Sequence, residues 1–184
     1  MLKSNFKNRS ILVVDPDEGC RKTLKMVLRN LGSTQLFEAE TAVQTLKILK
    51  KHRLDLVISE VQLPKISGVQ LLQGLRGQRK LAAWSVPFLL MTQLCEKGVV
   101  IAARDSGADG FVMKPVQPAV LIKRLSEIFS GNRLIFDLWL AKGQAPRRVT
   151  LPCPEDELTD PVPMPSIAEI SSEADNIDDD VMMI

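Results

Sequence analysis

The sequence predicts an α/β protein: a doubly wound, five-stranded parallel sheet followed by a disordered acidic C-terminal tail. Two observations support this prediction. First, five short apolar runs alternate with helical patterns over the first ~130 residues, and such alternation favours parallel strands joined by right-handed helical crossovers. Second, the composition becomes proline-rich and acidic after residue 144, which predicts the tail.

The strands are predicted from short apolar runs, which are typical of strands buried on both faces of a parallel sheet. The second run has the weakest pattern. In chain order the predicted strands are residues 11–14, 34–38, 54–58, 86–91 and 110–113.

Apolar residues three, four and seven positions apart predict the helices between these strands. The first helix follows the spacing of Cys20, Leu24, Val27, Leu28 and Leu31 and ends at Gly32. Further helices are predicted after a Thr41 cap, near Gly68, over 96–106 and after Pro118.

In sheets of this kind, functional sites lie beyond the carboxyl ends of the strands. Candidate site residues follow four of the predicted strands. They are Asp15, Pro16 and Asp17 after the first strand, Glu60 after the third, Thr92 after the fourth, and Lys114 with Pro115 after the fifth.

Four stretches containing these residues resemble the receiver domain of two-component response regulators over residues 9–130. They are ILVVDPDE (11–18), DLVISEVQLPKISG (55–68), VPFLLMTQ (86–93) and GADGFVMKP (107–115). The resemblance implies the flavodoxin-like receiver fold and a role in signalling. It also places Glu60 at the family's phosphoacceptor position, four residues before Pro64, and Thr92 and Phe111 at the positions of the family's switch pair.

Two departures from the family pattern predict a degenerate pseudo-receiver. Glu60 replaces the phosphoacceptor aspartate and is one methylene longer, and Pro16 replaces one of the paired acids with a residue that has no side-chain oxygen. Asp15 and Asp17 remain as an acidic pocket, but Asp17 begins the first helix and is a poor substitute. Because Mg²⁺ demands near-octahedral oxygen ligands, we expect no cofactor, and Mg²⁺ binding is doubtful.

Alternatives remain open for the single residues. A Glu60–Lys114 ion pair at the mouth of the site is favoured over Glu60 as an ordinary loop acid, and such an exposed pair would contribute only ~0.2–1 kcal/mol. Asp15 either belongs to the pocket or caps a helix that begins at Pro16 or Asp17. For Phe111, a purely structural role in the core is favoured over a switch.

Charge divides the chain into two parts. All 24 Lys and Arg residues lie at or before Arg148, and 10 of the 22 acidic residues lie from Glu155 onward, so the formal charge is +12 in the first part and −10 in the second. Residues 131–143 form an apolar extension that either covers the core or offers a partner or dimer surface. Residues 144–184 are a solvated tail, a partner-docking tail, or a segment that folds back on the basic domain.

The sequence gives no sign of an enzyme. Cys20, Cys95 and Cys153 lack metal or disulfide spacing, His52 belongs to no metal or catalytic motif, and no nucleophilic triad or glycine-rich phosphate loop is present. No apolar run reaches the ~20 residues that a membrane-spanning helix needs. A cytoplasmic protein with no membrane partner is expected.

The favoured function is a stand-alone pseudo-receiver that binds a protein partner through its fourth and fifth helices, independently of phosphorylation. A homodimer remains open. Two alternatives are a phosphate-accepting regulator in a phosphorelay and a basic nucleic-acid-binding module masked by the tail. Nucleic acid is disfavoured because base-stacking aromatic residues and a binding motif are missing.

Overall fold

Strands and helices alternate through the computed structural model, which describes residues 6–77, 85–93 and 97–130. The strands are β1 (Ser10–Val14), β2 (Gln35–Ala39), β3 (Leu56–Glu60), β4 (Phe88–Thr92) and β5 (Gly110–Met113). The helices are α1 (Glu18–Leu31), α2 (Ala42–Lys51), α3 (Gly68–Gly77), α4 (Lys97–Asp105) and α5 (Pro118–Phe129).

All five strands pair in parallel in the order β2-β1-β3-β4-β5. Strand β1 lies between β2 and β3, so that Leu12 faces Phe37 on one side and Val57 on the other. The connection from β1 leads to β2 on one side, and the chain then crosses to β3 on the other side of β1. This change of direction between neighbouring strands places a crevice at the carboxyl ends of β1 and β3. The predicted doubly wound fold is confirmed.

Side-chain alternation along the buried strands builds two cores, one on each face of the sheet. Leu12 and Val14 pack with residues of α2, α3 and α4. Ile11 and Val13 pack on the other face with residues of α1 and α5. Phe6, which precedes the predicted domain start at residue 9, is fully buried in this second core.

Of the two alternatives for Asp15, the one in which it caps a helix beginning at Pro16 or Asp17 is wrong. Helix α1 begins at Glu18, and Asp17 is its N-cap, with Oδ1 accepting a hydrogen bond from the Gly19 backbone at 2.8 Å. Asp15 therefore keeps its carboxylate for the site. At the other end, Gly32 closes the helix as predicted, with φ of 102°.

Strand β3 lies two residues later than predicted, because it continues through the polar residues Ser59 and Glu60. Asp55 precedes it and accepts hydrogen bonds from the Arg9 side chain and the Ser10 backbone, both at 2.8 Å. The shift makes Glu60 the last residue of the strand, which fixes its backbone by pairing with Met91 of β4.

The predictions for residues 131–143 and 144–184 fall outside the described residues. Within the described ranges, no helix has the length and apolar character needed to cross a membrane.

Candidate functional site at the carboxyl ends of the strands

Backbone hydrogen bonds fix the positions of the residues that follow β1, β3 and β5. The Asp15 N–H donates to Ala39 at 3.0 Å, the Val61 N–H to Met91 at 2.8 Å, and the Lys114 N–H to Thr92 at 2.8 Å. These bonds extend the sheet's ladder by one residue at each strand. Asp15, Glu60 and Lys114 therefore start from nearly rigid backbone.

The Lys114 ammonium lies between two carboxylates. Its Nζ is 2.5 Å from Asp15 Oδ2 and 2.5 Å from Glu60 Oε2. The predicted Glu60–Lys114 contact is confirmed, whereas the Asp15–Lys114 contact had no counterpart in the sequence analysis. The expectation of an exposed pair is wrong, because only 10% of the Lys114 side chain, 2% of Asp15 and 6% of Glu60 are exposed.

The two carboxylates keep Lys114 charged. Burial alone would lower the pKa of this lysine, but the hydrogen bonds and charges of Asp15 and Glu60 outweigh burial and raise the pKa above its ordinary value. The ammonium is therefore a permanent cation of the folded state at physiological pH.

Each carboxylate also accepts a backbone hydrogen bond with its second oxygen. Asp15 Oδ1 accepts from the Asp17 N–H at 2.9 Å, and Glu60 Oε1 accepts from the Gln62 N–H at 3.1 Å. All four oxygens of the two acids therefore have donors in the structure. This network holds both side chains in one orientation toward Lys114.

These residues do not fit the magnesium site that the family resemblance implies. Pro16 offers no side-chain oxygen, and Asp17, the N-cap of α1, accepts a hydrogen bond from the Gly19 N–H with Oδ1. The oxygens of Asp15 and Glu60 face Lys114 and backbone N–H groups. A hard divalent cation needs several oxygens that it can approach together. Here a lysine ammonium already balances the two carboxylates.

Gly68 allows the chain to pass close to the backbone of Glu60. Its N–H donates to the Val61 carbonyl at 2.8 Å, and a Cβ at this position would lie 2.2 Å from the Glu60 carbonyl oxygen. No side chain fits there without moving the loop between β3 and α3. Glycine is therefore part of what positions Glu60.

Arg21 supports the loop that carries Asp15, and the sequence analysis missed it. This buried side chain donates from Nη1 to the carbonyls of Asp15 at 2.7 Å and Pro16 at 3.1 Å, and pairs with Glu40 at 2.8 Å. A signal was present, because Arg21 shares the buried face of α1 with Leu24, Leu28 and Leu31. A charged residue at helical spacing within an apolar face predicts a specific buried partner.

The remaining predicted residues surround this cluster. Thr92 is fully buried at the end of β4, and its carbonyl accepts the hydrogen bond that aligns Lys114. Phe111 is half-buried and packs against the core on the α2–α4 face. A switch role for either residue stays a prediction.

A cavity of about 450 Å³ opens beside the cluster, between α1 and the start of α5. Cys20 lies in its wall, and burial together with hydrogen bonding to Asp15 raises the pKa of this thiol to about 12. Cys20 is therefore a protonated, poorly reactive thiol. The rest of the wall is mostly apolar, with Leu24, Val27 and Leu121 among its residues.

Comparison with known proteins defines the class that this fold and site represent. Residues 11–126 match the family model of the response regulator receiver domain. The chain belongs to this family, whose members act in two-component signal transduction.

Its relatives include chemotaxis proteins. Chemotaxis protein CheY-3 of Vibrio cholerae is 32% identical over 123 residues, which cover 67% of this chain and 93% of the relative. Chemotaxis protein CheY of Pseudomonas aeruginosa is 30% identical over 119 residues, covering 65% and 94%.

Solved structures agree with this assignment. The signal receiver domain of a signal transduction histidine kinase from Syntrophus aciditrophicus has a TM-score of 0.60 and 30% identity, covering 67% of this chain and 91% of that one. Chemotaxis protein CheY4 of Vibrio cholerae has a TM-score of 0.60 and 25% identity, covering 65% and 98%.

Proposed function

We propose that this receiver domain is a degenerate pseudo-receiver, which binds a protein partner without being phosphorylated. One observation carries the proposal: Lys114 Nζ bridges Asp15 and Glu60 at 2.5 Å each, in a cluster that is almost wholly buried. The fixed carboxylate of Glu60 then acts as a permanent negative charge where a regulated receiver would acquire one.

Glutamate is a poor phosphoacceptor in this setting. Transfer of a phosphoryl group requires in-line approach to a carboxylate oxygen, and a misplacement of about 1 Å costs a large factor in rate. Both oxygens of Glu60 accept hydrogen bonds or an ion pair, so attack would first require the network to open. Pro16 removes a further acid that would hold the metal.

We assign partner binding to the face formed by α4, β5 and α5. Among the described residues, three large apolar side chains are exposed, and two of them lie here: Met113, at 37%, ends β5, and Val120, at 41%, lies in the first turn of α5. The third, Met26, lies on α1. A protein partner on this face would remove both side chains from water, which favours association.

We further propose that the domain is a binding module and not an enzyme, that it uses no cofactor, and that it works in the cytoplasm. Its chemistry supports the first two points, since the carboxylates and the lysine that would handle a phosphoryl group hold one another in place. The cytoplasmic assignment rests on the signalling role of the family.

The test is affinity capture from cells of the source organism, with the full chain as bait. Baits with Met113→Lys and Val120→Lys are compared with a Met26→Lys control, which places the same charge on an exposed methionine of another face. Each bait is used with and without a small phosphodonor and Mg²⁺. We expect the same partner in both conditions, retained by Met26→Lys and lost by the other two.

Two outcomes would argue against this function. A partner captured only after phosphodonor treatment would support the alternative, a phosphate-accepting regulator. A partner retained equally by all three variants would place the interface elsewhere.

A further inference from the structure

A basic groove lies at the end of the sheet opposite Glu60. It is a cavity of about 710 Å³ at the amino ends of β1, β3 and β4. Residues 49–55, from the last turn of α2 to the start of β3, form one wall. Residues 85–87 before β4 form another, and Ile128 and Phe129 of α5 close the groove. Its lining includes neither the residues of the lysine-bridged cluster nor Met113 and Val120 of the proposed partner face.

The groove carries an excess of positive charge. Its charged lining residues are Arg9, Lys50, Lys51, Arg53 and Asp55, a formal balance of +3. Asp55 does not neutralise the lysines or Arg53, because it already accepts a hydrogen bond from Arg9 at 2.8 Å and another from the Ser10 backbone. Lys50, Lys51 and Arg53 are exposed at the rim.

Aromatic contacts shape the groove around these charges. The Arg9 guanidinium lies 4.9 Å from the centre of the Phe129 ring, and His52 stacks on Phe37 with ring centres 4.6 Å apart. The walls are therefore held independently of any ligand. Lys50 and Arg53, which are exposed at the rim, are groups that an anion would contact.

The chain itself supplies an anion of the right kind. Residues 155–180 contain 10 acidic residues and no Lys or Arg. The chain leaves the described domain at Ser130, directly after Phe129 in the groove wall. Roughly 25 further residues lead to Glu155, and at ~3.3–3.6 Å per residue they are more than long enough to bring the acidic segment back to the groove.

We propose that residues 155–180 dock in the basic groove of their own chain and mask it from other polyanions. Single pairs of exposed charges are weak, but a tether gives the segment a high effective concentration, and many such pairs act together. The contact is electrostatic and is screened as salt shortens the Debye length. This inference does not depend on whether Glu60 is phosphorylated.

Zero-length carbodiimide cross-linking of the full chain tests where the segment lies. Carbodiimide joins a lysine amine to a carboxylate only when the two are in contact. We expect peptides that join Lys50 or Lys51 to residues 155–180, with few or none at the exposed controls Lys22 and Lys123. Equal mixtures of unlabelled and ¹⁵N-labelled chain separate cross-links within a chain from those between chains, and high salt should abolish them.

Heparin chromatography of full-length variants tests masking. Replacing the ten acids by their amides should increase retention at low salt. Adding Lys50→Gln and Arg53→Gln should cancel that increase, whereas adding Arg29→Gln and Lys123→Gln, which remove the same charge from exposed sites elsewhere, should leave most of it.

Three results would overturn the proposal: cross-links spread evenly over exposed lysines, cross-links formed only between chains, or equal effects of the two paired substitutions on retention. The last result would mean that net charge alone governs binding to heparin.

Discussion

At the scale of single residues, Lys114 is the centre of the site. One ammonium balances two buried carboxylates, and its removal would leave Asp15 and Glu60 close together without a cation. Removing the Glu60 carboxylate should destabilise the domain less, because Lys114 would still be paired with Asp15. The two partners of the same ion pair therefore differ in what they contribute to stability.

We expect Lys114→Met to destabilise the domain by ~3–5 kcal/mol, the usual range for breaking a buried pair from one side. Glu60→Gln should cost only ~1.5–3 kcal/mol, since the amide oxygen can still accept a hydrogen bond from Lys114 or Gln62. Urea unfolding followed by circular dichroism measures both. An equal or smaller loss in Lys114→Met would mean that the bridge is not the main contact.

Cys20 provides a second test at this scale. Its pKa is raised to about 12 by burial and by its hydrogen bond to Asp15, so the reactive thiolate is scarce at neutral pH. Alkylation by iodoacetamide, followed at the Cys20 peptide by mass spectrometry, should be far slower than for an ordinary thiol and should quicken as pH rises toward 12. Asp15→Asn should speed the reaction. Rapid alkylation in the folded protein at pH 7 would contradict the raised pKa of this thiol.

At the scale of elements, the loop between β3 and α3 fixes Glu60. A Cβ at Gly68 would lie 2.2 Å from the Glu60 carbonyl oxygen, so Gly68→Ala forces this loop to move and should cost ~1–3 kcal/mol. Gly98→Ala in α4 is the control, since its Cβ meets nothing within 4 Å and alanine favours helix. Urea unfolding should show a loss only for Gly68→Ala. Equal stability of the two variants would remove this role for Gly68.

The local pattern of apolar residues was sufficient to predict the order and type of all ten strands and helices, because short apolar runs and helical faces are properties of neighbouring residues. The pattern did not predict where β3 ends, because Ser59 and Glu60 are polar yet buried. The burial of the Glu60 carboxylate depends on Lys114, which lies more than fifty residues further along the chain. The same reason explains why Asp15 was assigned to the pocket, with a helix cap as the alternative, but not as a partner of Lys114.

At the scale of the whole molecule, the sheet separates two charged regions. The lysine-bridged cluster lies at the carboxyl ends of the strands, and the basic groove lies at their amino ends. The positions of charged residues along the sequence already showed that basic and acidic residues are segregated. The groove could not be predicted from the sequence, because it forms only when residues 49–55, 85–87 and the end of α5 come together.

The family resemblance placed Asp15, Glu60 and Lys114 at the ends of their strands, and the structure adds the contact of Lys114 with both carboxylates. A sequence motif does not show which hydrogen-bond donor or cation each carboxylate oxygen contacts. Those contacts decide whether the acids are available to a metal or a phosphoryl group.

The central claim, that this receiver works without phosphorylation, is tested most directly by intact-mass spectrometry after incubation with acetyl phosphate and Mg²⁺. We expect no added phosphoryl group on the full-length protein. Glu60→Asp alone should gain little, and Glu60→Asp with Pro16→Asp should gain more, because the pair restores both the shorter carboxylate and the missing acid. Stoichiometric phosphorylation of the unmodified chain on any residue of the domain would contradict the account.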